Sequence, residues 1–455
     1  MVRINAFTGD EHATLMEEPI FKKKKSSKES FATKKTKTLV LCYAYIMLGF
    51  LISIFGPSML LLAQHTKTNT RSIAYLLSLR GVGYMISTLL TGIILDKFSI
   101  GSPVAIKMPK NAILKFITSR LTLILMFLSI ILMGSTLIAM PFTTNYNVHL
   151  VLQIVSGVSG GCIDCVASVL MMWIWDEDAN NYMQGLHASY GVGSFLAPLY
   201  LQIVQNGYAD FTFTSTPWYV SILSITYVPI GILMLSSLLL FILVPFVDRK
   251  PKVKRSAMDS PVLTELPWYR DVKQMIVTLL TGVSLFLYCG VEGGFSSFIT
   301  LYAQTHDRIH FVKSASLLAS AFWLSFTVGR LVALPVSFYL SIRTVLFIDV
   351  IMCSASLLIM SLWKNHIMLW IATIVLGFFM APQYPTTFST PRSFLNINLS
   401  ALMTSSLVVL ANLGSTLFSL FLEQQLLNLF WILFGTISAK FISDAILLYA
   451  IKRRE

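Results

Sequence analysis

The sequence predicts an all-α integral membrane protein of twelve transmembrane helices, arranged as two pseudo-symmetric halves of six. Three observations predict it. The 455 residues are 55% hydrophobic and only 12% charged, with a mean hydropathy of +0.72. A water-soluble domain carries about 25% charged residues, so this chain has too few ionisable groups to coat a soluble surface, and a soluble enzyme is excluded. Crossing a hydrocarbon core about 30 Å thick takes roughly 20 apolar residues per helix, and runs of that length recur along the whole chain. The most polar internal stretch falls after the sixth run.

The first six runs lie near 39–63, 72–95, 121–141, 148–174, 182–204 and 219–246. The second six lie near 274–303, 314–339, 344–363, 366–388, 400–422 and 427–450. The expected organisation is a basic cytoplasmic tail over 1–38, an N-terminal six-helix bundle over 39–246 and a cytoplasmic linker over 247–273. A C-terminal six-helix bundle follows over 274–450, with a short cytoplasmic tail over 451–455. The polar residues ahead of the first run show no cleaved signal peptide, so that span is expected to act as its own insertion signal.

The net charge of +13 comes from 34 Lys and Arg against 21 Asp and Glu. With the N-terminus cytoplasmic and the spans alternating, 26 of the basic residues fall on the cytoplasmic side, five on the opposite side and three inside spans. The positive-inside rule therefore places both termini in the cytoplasm, and the plasma membrane is the expected location. The run Lys22 to Lys25, with Lys28, Lys34, Lys35 and Lys37, reads as a topology determinant touching anionic lipid, each Lys contributing about 1 kcal/mol at most. Nucleic acid is not an expected partner. The sequon Asn398-Leu399-Ser400 falls on the cytoplasmic side and is expected to be unglycosylated.

Cys42, Cys162, Cys165, Cys289 and Cys353 all sit in apolar stretches, and an odd count gives no disulfide framework. Cys162 and Cys165 form a C-x-x-C inside an apolar helix, which reads as packing rather than redox chemistry or zinc. No metal site or bound cofactor is expected.

A carboxylate at mid-span costs roughly 2.5 to 3.5 kcal/mol on insertion scales and marks a functional site by default. Asp164 lies about 16 residues into span four and Glu292 about 18 into span seven, one in each half and flanked by small residues. Either can accept a proton or ligate sodium; the plainer reading is an internal ion pair with Arg80 or Arg330. Arg330 is weighed equally between a central site and a structural pair with Asp349, while Arg80 reads as structural. His187 in span five is balanced between packing and function. Lys440 and Asp444 share a helix face and are expected to neutralise each other. Asp176, Glu177 and Asp178 read as a solvated loop. Pro57 and Pro385 each free a backbone carbonyl, which suits local unwinding of spans one and ten.

Two six-helix halves joined by a basic linker are how major facilitator transporters are built, with the solute site near the midplane between the halves. Thr91-Gly92-Ile93-Ile94-Leu95-Asp96-Lys97 resembles the start of that superfamily's G-x-x-x-D-[RK] signature between helices two and three. The usual continuation is altered here to Phe98-Ser99-Ile100-Gly101, with Lys107 and Lys110 later. Glycine allows close helix approach and the carboxylate can latch one conformation, so the resemblance implies a gating role for Gly92, Asp96 and Lys97.

Longer segments narrow the likeness. Gly56-Pro57-Ser58-Met59-Leu60, Leu186-His187-Ala188-Ser189-Tyr190-Gly191-Val192-Gly193, Leu287-Tyr288-Cys289-Gly290-Val291-Glu292-Gly293-Gly294 and Phe322-Trp323 with Gly329-Arg330 resemble the animal sodium-dependent glucose transporter branch. Gln383-Tyr384-Pro385-Thr386 is similar to the bacterial proton-coupled fucose symporters. The likeness runs in order from about residue 45 to 390. The chain departs from the pattern at Leu61, where an acidic residue is expected, and at Cys165 and Ser168, which replace polar neighbours of Asp164.

The expectation is a major facilitator carrier moving a small polar solute, a hexose or related sugar, by alternating access, with sodium or proton coupling through Asp164 and Glu292. Sugars are held by hydrogen bonds to hydroxyls and by aromatic faces against the ring, which points to His187, Tyr190, Trp323, Arg330, Gln383 and Asn412 as solute contacts. The protein is expected to be a monomer in the bilayer. A receptor or scaffold of the same fold that does not transport is the competing reading, motivated by Leu61, Cys165 and Ser168. A membrane enzyme is disfavoured, since H-E-x-x-H, G-x-S-x-G and phosphate-cradling glycine loops do not occur in the chain.

Overall fold

The computed structural model describes residues 31–98, 120–175, 179–209, 218–244, 246, 272–305, 315–336, 339–363, 365–395 and 401–452. The linker over 247–271, the acidic triplet at 176–178 and the sequon at 398–400 lie outside them. Among the described residues the fold is helical throughout, as lipid demands, because a helix satisfies every backbone N–H and C=O within its own segment.

Span one is Phe31–Ile54 continued by Met59–His65, span two Thr70–Phe98, span three Leu121–Ala139 with a short turn at Met140–Phe142, and span four Tyr146–Trp175. Spans five and six are Ala179–Ala209 and Trp218–Leu243. Spans seven, eight and nine are Val272–Thr305, Ala315–Val336 and Ile342–Leu362. Span ten is His366–Met380 with Gln383–Leu395, span eleven Ala401–Gln424 and span twelve Leu429–Lys452. Eleven of these are long and apolar enough to cross a membrane; span five falls short of the apolar threshold. It carries Gln184, His187, Ser189, Tyr190, Ser194 and Gln202, a polarity that a membrane helix tolerates when those groups face the bundle interior.

Helix packing repeats with an offset of six. Spans one and five pack together, as do seven and eleven; two and four match eight and ten; three and four match nine and ten; three and six match nine and twelve. The halves meet chiefly through two pairs that exchange under the same operation, spans two with eleven and five with eight. The seam between the halves is thus built from spans that each half also uses internally. Small residues bring the backbones together: a Cβ on Gly193 would run into the backbone of Ile46, and one on Gly161 into the carbonyl of Tyr84.

Span one starts eight residues before its apolar run, at Phe31 rather than Leu39. The extra turns are held by their lysines lying on rings, Lys34 at 5.3 Å from Trp175 and Lys37 at 5.6 Å from Phe246, while Trp175 Nε1 donates to Thr38 Oγ1 at 2.7 Å. An ammonium over an aromatic face is attracted by the ring quadrupole, which lets these lysines extend the helix past its apolar run.

Span one breaks at residues 55–58, around Gly56-Pro57 as the sequence indicates. Span ten breaks at Ala381-Pro382, not at Pro385, which sits inside the helix that follows. Pro385 still frees a carbonyl: the N–H that would reach Ala381 is missing, and Ala381 O accepts instead from Arg330 Nη2 at 3.5 Å.

Candidate functional site

The polar interior begins with Asp164 on span four. Tyr45 of span one, itself buried, donates to Asp164 Oδ1 at 2.5 Å and lies 2.9 Å from Ser168 Oγ. Tyr84 of span two lies within electrostatic reach of the Asp164 carboxylate. Three helices of the N-terminal half therefore converge on one carboxylate. Ser168, a departure from the family pattern, completes this arrangement through Tyr45.

Glu292 on span seven is the counterpart in the other half. Tyr288, one turn earlier and fully buried, lies within electrostatic reach of it while its hydroxyl donates to Met380 O at 3.1 Å, and Arg330 of span eight is also within electrostatic reach. The guanidinium stacks over Phe326 at 5.0 Å and makes its bond to Ala381 O in the broken span ten. Its Nε is buried without a hydrogen-bond partner among the described residues, so the cation is anchored on one edge and unsatisfied on another.

Side chains of spans five, eight and ten tie the two corners together. The His187 ring meets Tyr45 edge-on at 5.8 Å, and it feels both Asp164 and Arg330. Tyr190 packs edge-on against Trp323 at 5.9 Å and senses Glu292, Arg80 and Asp164 together. Tyr384 lies close enough to feel Asp164, Glu292 and Arg330. The result is one cluster at the seam: two carboxylates, one arginine, an imidazole and a ring of phenols, with Trp323 as its aromatic wall.

Other expected residues lie elsewhere. Gln383 is fully buried and turned away, its Nε2 donating to Cys353 Sγ of span nine at 3.2 Å and to Phe379 O at 3.1 Å. Asn412 is half-buried and its amide donates to Val408 O of its own helix at 2.9 Å; the adjacent Ala411 packs in a patch with Cys289 and Tyr384. Arg80 meets the end of the first piece of span one, donating to Leu51 O at 3.1 Å and Ile52 O at 3.2 Å, with its guanidinium over Phe55. This is the structural role expected of it, since cations favour helix C-termini. The alternative pairing of Arg330 with Asp349 is not formed: Asp349 faces Lys440. Lys440 and Asp444 do pair, at 2.5 Å. Gly92 packs near Cys165, while the side chains of Asp96 and Lys97 lie outside the described residues. The five cysteines are free thiols.

Sequence reasoning passed over Tyr45, Tyr84 and Tyr288. Only their companions hinted at them: Tyr84 follows Gly81 and Gly83 and meets Gly160 and Gly161 of span four, and Tyr288 stands one turn before Glu292.

The sequence profile of the Major Facilitator Superfamily matches residues 41–419. The chain belongs to the major facilitator superfamily. Among curated relatives, "Sodium-dependent glucose transporter 1" of Xenopus laevis is 26% identical over 359 residues, covering 76% of this chain and 67% of the relative. The Homo sapiens protein of that name is 25% identical over 381 residues, covering 79% and 68%. "Major facilitator superfamily domain-containing protein 4A" of Xenopus tropicalis is 21% identical over 441 residues and 83% of each chain. Among solved structures, the nucleoside transporter NupG superposes with a TM-score of 0.65 at 12% identity over 92% of this chain and 100% of its own. The superfamily transporter FucP in its outward conformation gives 0.60 at 16% over 91% and 99%. At such identities these structures speak for the fold alone. This major facilitator is a membrane transporter with its ionisable cluster on the seam between its halves.

Proposed function

We propose that the protein is a secondary active transporter of a small polar solute, a hexose or related sugar, working by alternating access with sodium or proton coupling. The observation that carries this reading is the joining of Asp164 and Glu292, from opposite halves, through Tyr190, His187, Arg330 and Tyr384. A carboxylate from each half within one cluster makes its charge state sensitive to how the halves sit. Binding a cation there then favours one arrangement over the other, which is the differential affinity a coupled carrier requires.

The solute reading rests on the same residues. Phenols of Tyr190 and Tyr384, the His187 imidazole and the free edge of Arg330 supply donors and acceptors for hydroxyl groups, and Trp323 offers an apolar face. Asn412 stands at the border of this group, and Gln383 acts from behind Tyr384 rather than on solute. Curated relatives bear the name sodium-dependent glucose transporter, and one solved structure is of a fucose:proton symporter. Gly92, Asp96 and Lys97 serve as the gate between spans two and three, and the protein sits in the plasma membrane with both termini in the cytoplasm.

The test is uptake by purified protein in sealed vesicles, against sugars, amino acids and organic anions, under imposed sodium and pH gradients. Wild type should accumulate a sugar against its gradient. Asp164→Asn and Glu292→Gln should retain exchange yet lose accumulation. If both variants still accumulate solute, the coupling assignment is wrong; if wild type binds sugar without moving it, the protein is a receptor.

A further inference from the structure

Away from the central cluster, spans nine and twelve bury a second group that mixes carboxylates with a cation. Asp349 is 5% exposed, Lys440 0% and Asp444 5%. Lys440 Nζ sits 2.5 Å from Asp444 Oδ2, and the hydroxyl of Ser284 on span seven donates to Asp444 Oδ1. Both oxygens of Asp444 are thereby supplied with donors, as an ionised carboxylate needs. Asp349 is different: its Oδ2 is buried with no hydrogen-bond partner among the described residues. Two acids against one base leave a surplus negative charge, and Asp349 stands seven residues inside span nine, about 10 Å below its end. Ionised carboxylates at such depth are costly unless paired, and the one nearby ammonium is already committed to Asp444.

We propose that Asp349 is a proton-binding site of the C-terminal half, holding a proton at neutral pH beside the Lys440–Asp444 pair. The lysine ammonium occupies the cation position at Asp444, so no cage of two carboxylates is left for a metal ion, and a proton is the species that balances the charge. The groups facing Asp349 among the described residues are Lys440 from span twelve, itself paired with Asp444, and Cys353 on its own helix, which Gln383 of span ten hydrogen-bonds.

A cavity of about 410 Å3 between spans nine and twelve runs from Arg343 and Leu448 at the face bearing the chain termini, past Phe347 and Phe441, to Val350 and Asp444. Asp349 does not line this cavity itself; the cavity reaches Asp444 of the pair beside it. On the inner side, Cys353 stands one turn from Asp349 and accepts from Gln383, whose neighbour Tyr384 belongs to the central cluster. The site therefore lies behind the break in span ten, a different place from Asp164 and Glu292, and it stands whether or not those two couple transport.

Infrared pH-difference spectra of the full-length purified protein in lipid nanodiscs, with carbon-13-labelled aspartate, test this. Wild type should show a deuterium-sensitive aspartic acid carbonyl band at neutral pH, reduced by one carboxyl's worth in Asp349→Asn. An undiminished band in that variant overturns the proposal. Should Asp349→Asn fail to fold, Asp444→Asn is read instead. There Asp349 becomes the sole counter-charge of Lys440 and ionises, so loss of the same band supports the proposal and an undiminished band overturns it.

Discussion

Arg71 Nε lies 3.5 Å from Glu423 Oε2, and Thr70 Oγ1 donates to Glu423 Oε1 at 2.9 Å, so one carboxylate at the end of span eleven holds the start of span two. Both residues belong to the face opposite the chain termini, and the same seam continues inward with Ser78 Oγ donating to Thr416 O at 3.2 Å. On that face Gly56, at the break of span one, also rests on the backbone of Ser297 in span seven. Two pairs of spans, span two with eleven and span one with seven, thus hold the halves together on this face.

Glu423→Gln should loosen this hold. Arg71 is 56% exposed and Glu423 11%, so the pair is worth no more than about 1 kcal/mol, which is roughly a fivefold shift between two arrangements of the halves. Distances between spin labels at the ends of spans two and eleven on that face should show a larger separated population in the variant, and high salt should produce the same shift in wild type. Unchanged distance distributions would remove the clasp from the mechanism.

The spans were legible because grease in a membrane protein is written in runs: span four, read as 148–174, forms as Tyr146–Trp175. Asp164 and Glu292 were legible because a charge in mid-span is rare. Tyr45 and Tyr288 were not, since in a chain with 12% aromatics a phenol facing the interior has the same sequence signature as one facing lipid. Rotation of a helix decides which it is. Gln383 and Tyr384 make the point: neighbours on a helix point about 100° apart, and the turn at Ala381-Pro382 sends Tyr384 to the cluster and Gln383 to Cys353.

Close backbone approach gives a second prediction. Gly193→Leu would drive a side chain into the backbone of Ile46, which cannot give way as a flexible side chain would. Overpacking of this kind costs about 1–3 kcal/mol or more, and the variant should elute as aggregate in size-exclusion chromatography. Gly185, on the same span, has nothing within 4 Å of its would-be Cβ, and Gly185→Leu should behave as wild type.

The buried pair of span twelve gives a third. Lys440 is 0% exposed and Asp444 7% by side chain, so removing the cation strands a carboxylate that Ser284 alone cannot satisfy. Lys440→Met should lower stability by about 3–5 kcal/mol, seen as a fall in melting temperature in detergent. Lys440→Met combined with Asp444→Leu should recover most of the loss, because replacing both partners of a buried pair by apolar groups is close to neutral. A double variant no more stable than the single would show that the pair orders its surroundings in some further way.

Arg330 is where charge and geometry can be separated. Its guanidinium does three things at once: it lies over Phe326, donates to the carbonyl that Pro385 leaves free, and sets positive charge beside Glu292. Arg330→Lys keeps the charge but loses the planar fork that reaches Ala381 O while stacked; Arg330→Gln loses the charge as well. Glu292 then keeps only the neighbouring phenols of Tyr190, Tyr288 and Tyr384 among the groups described near it. Transport in vesicles should therefore weaken stepwise, with Lys raising KM for solute several-fold and Gln abolishing accumulation. Should Gln match Lys in both quantities, the positive charge is irrelevant to the site and Arg330 is a packing residue anchored on span ten.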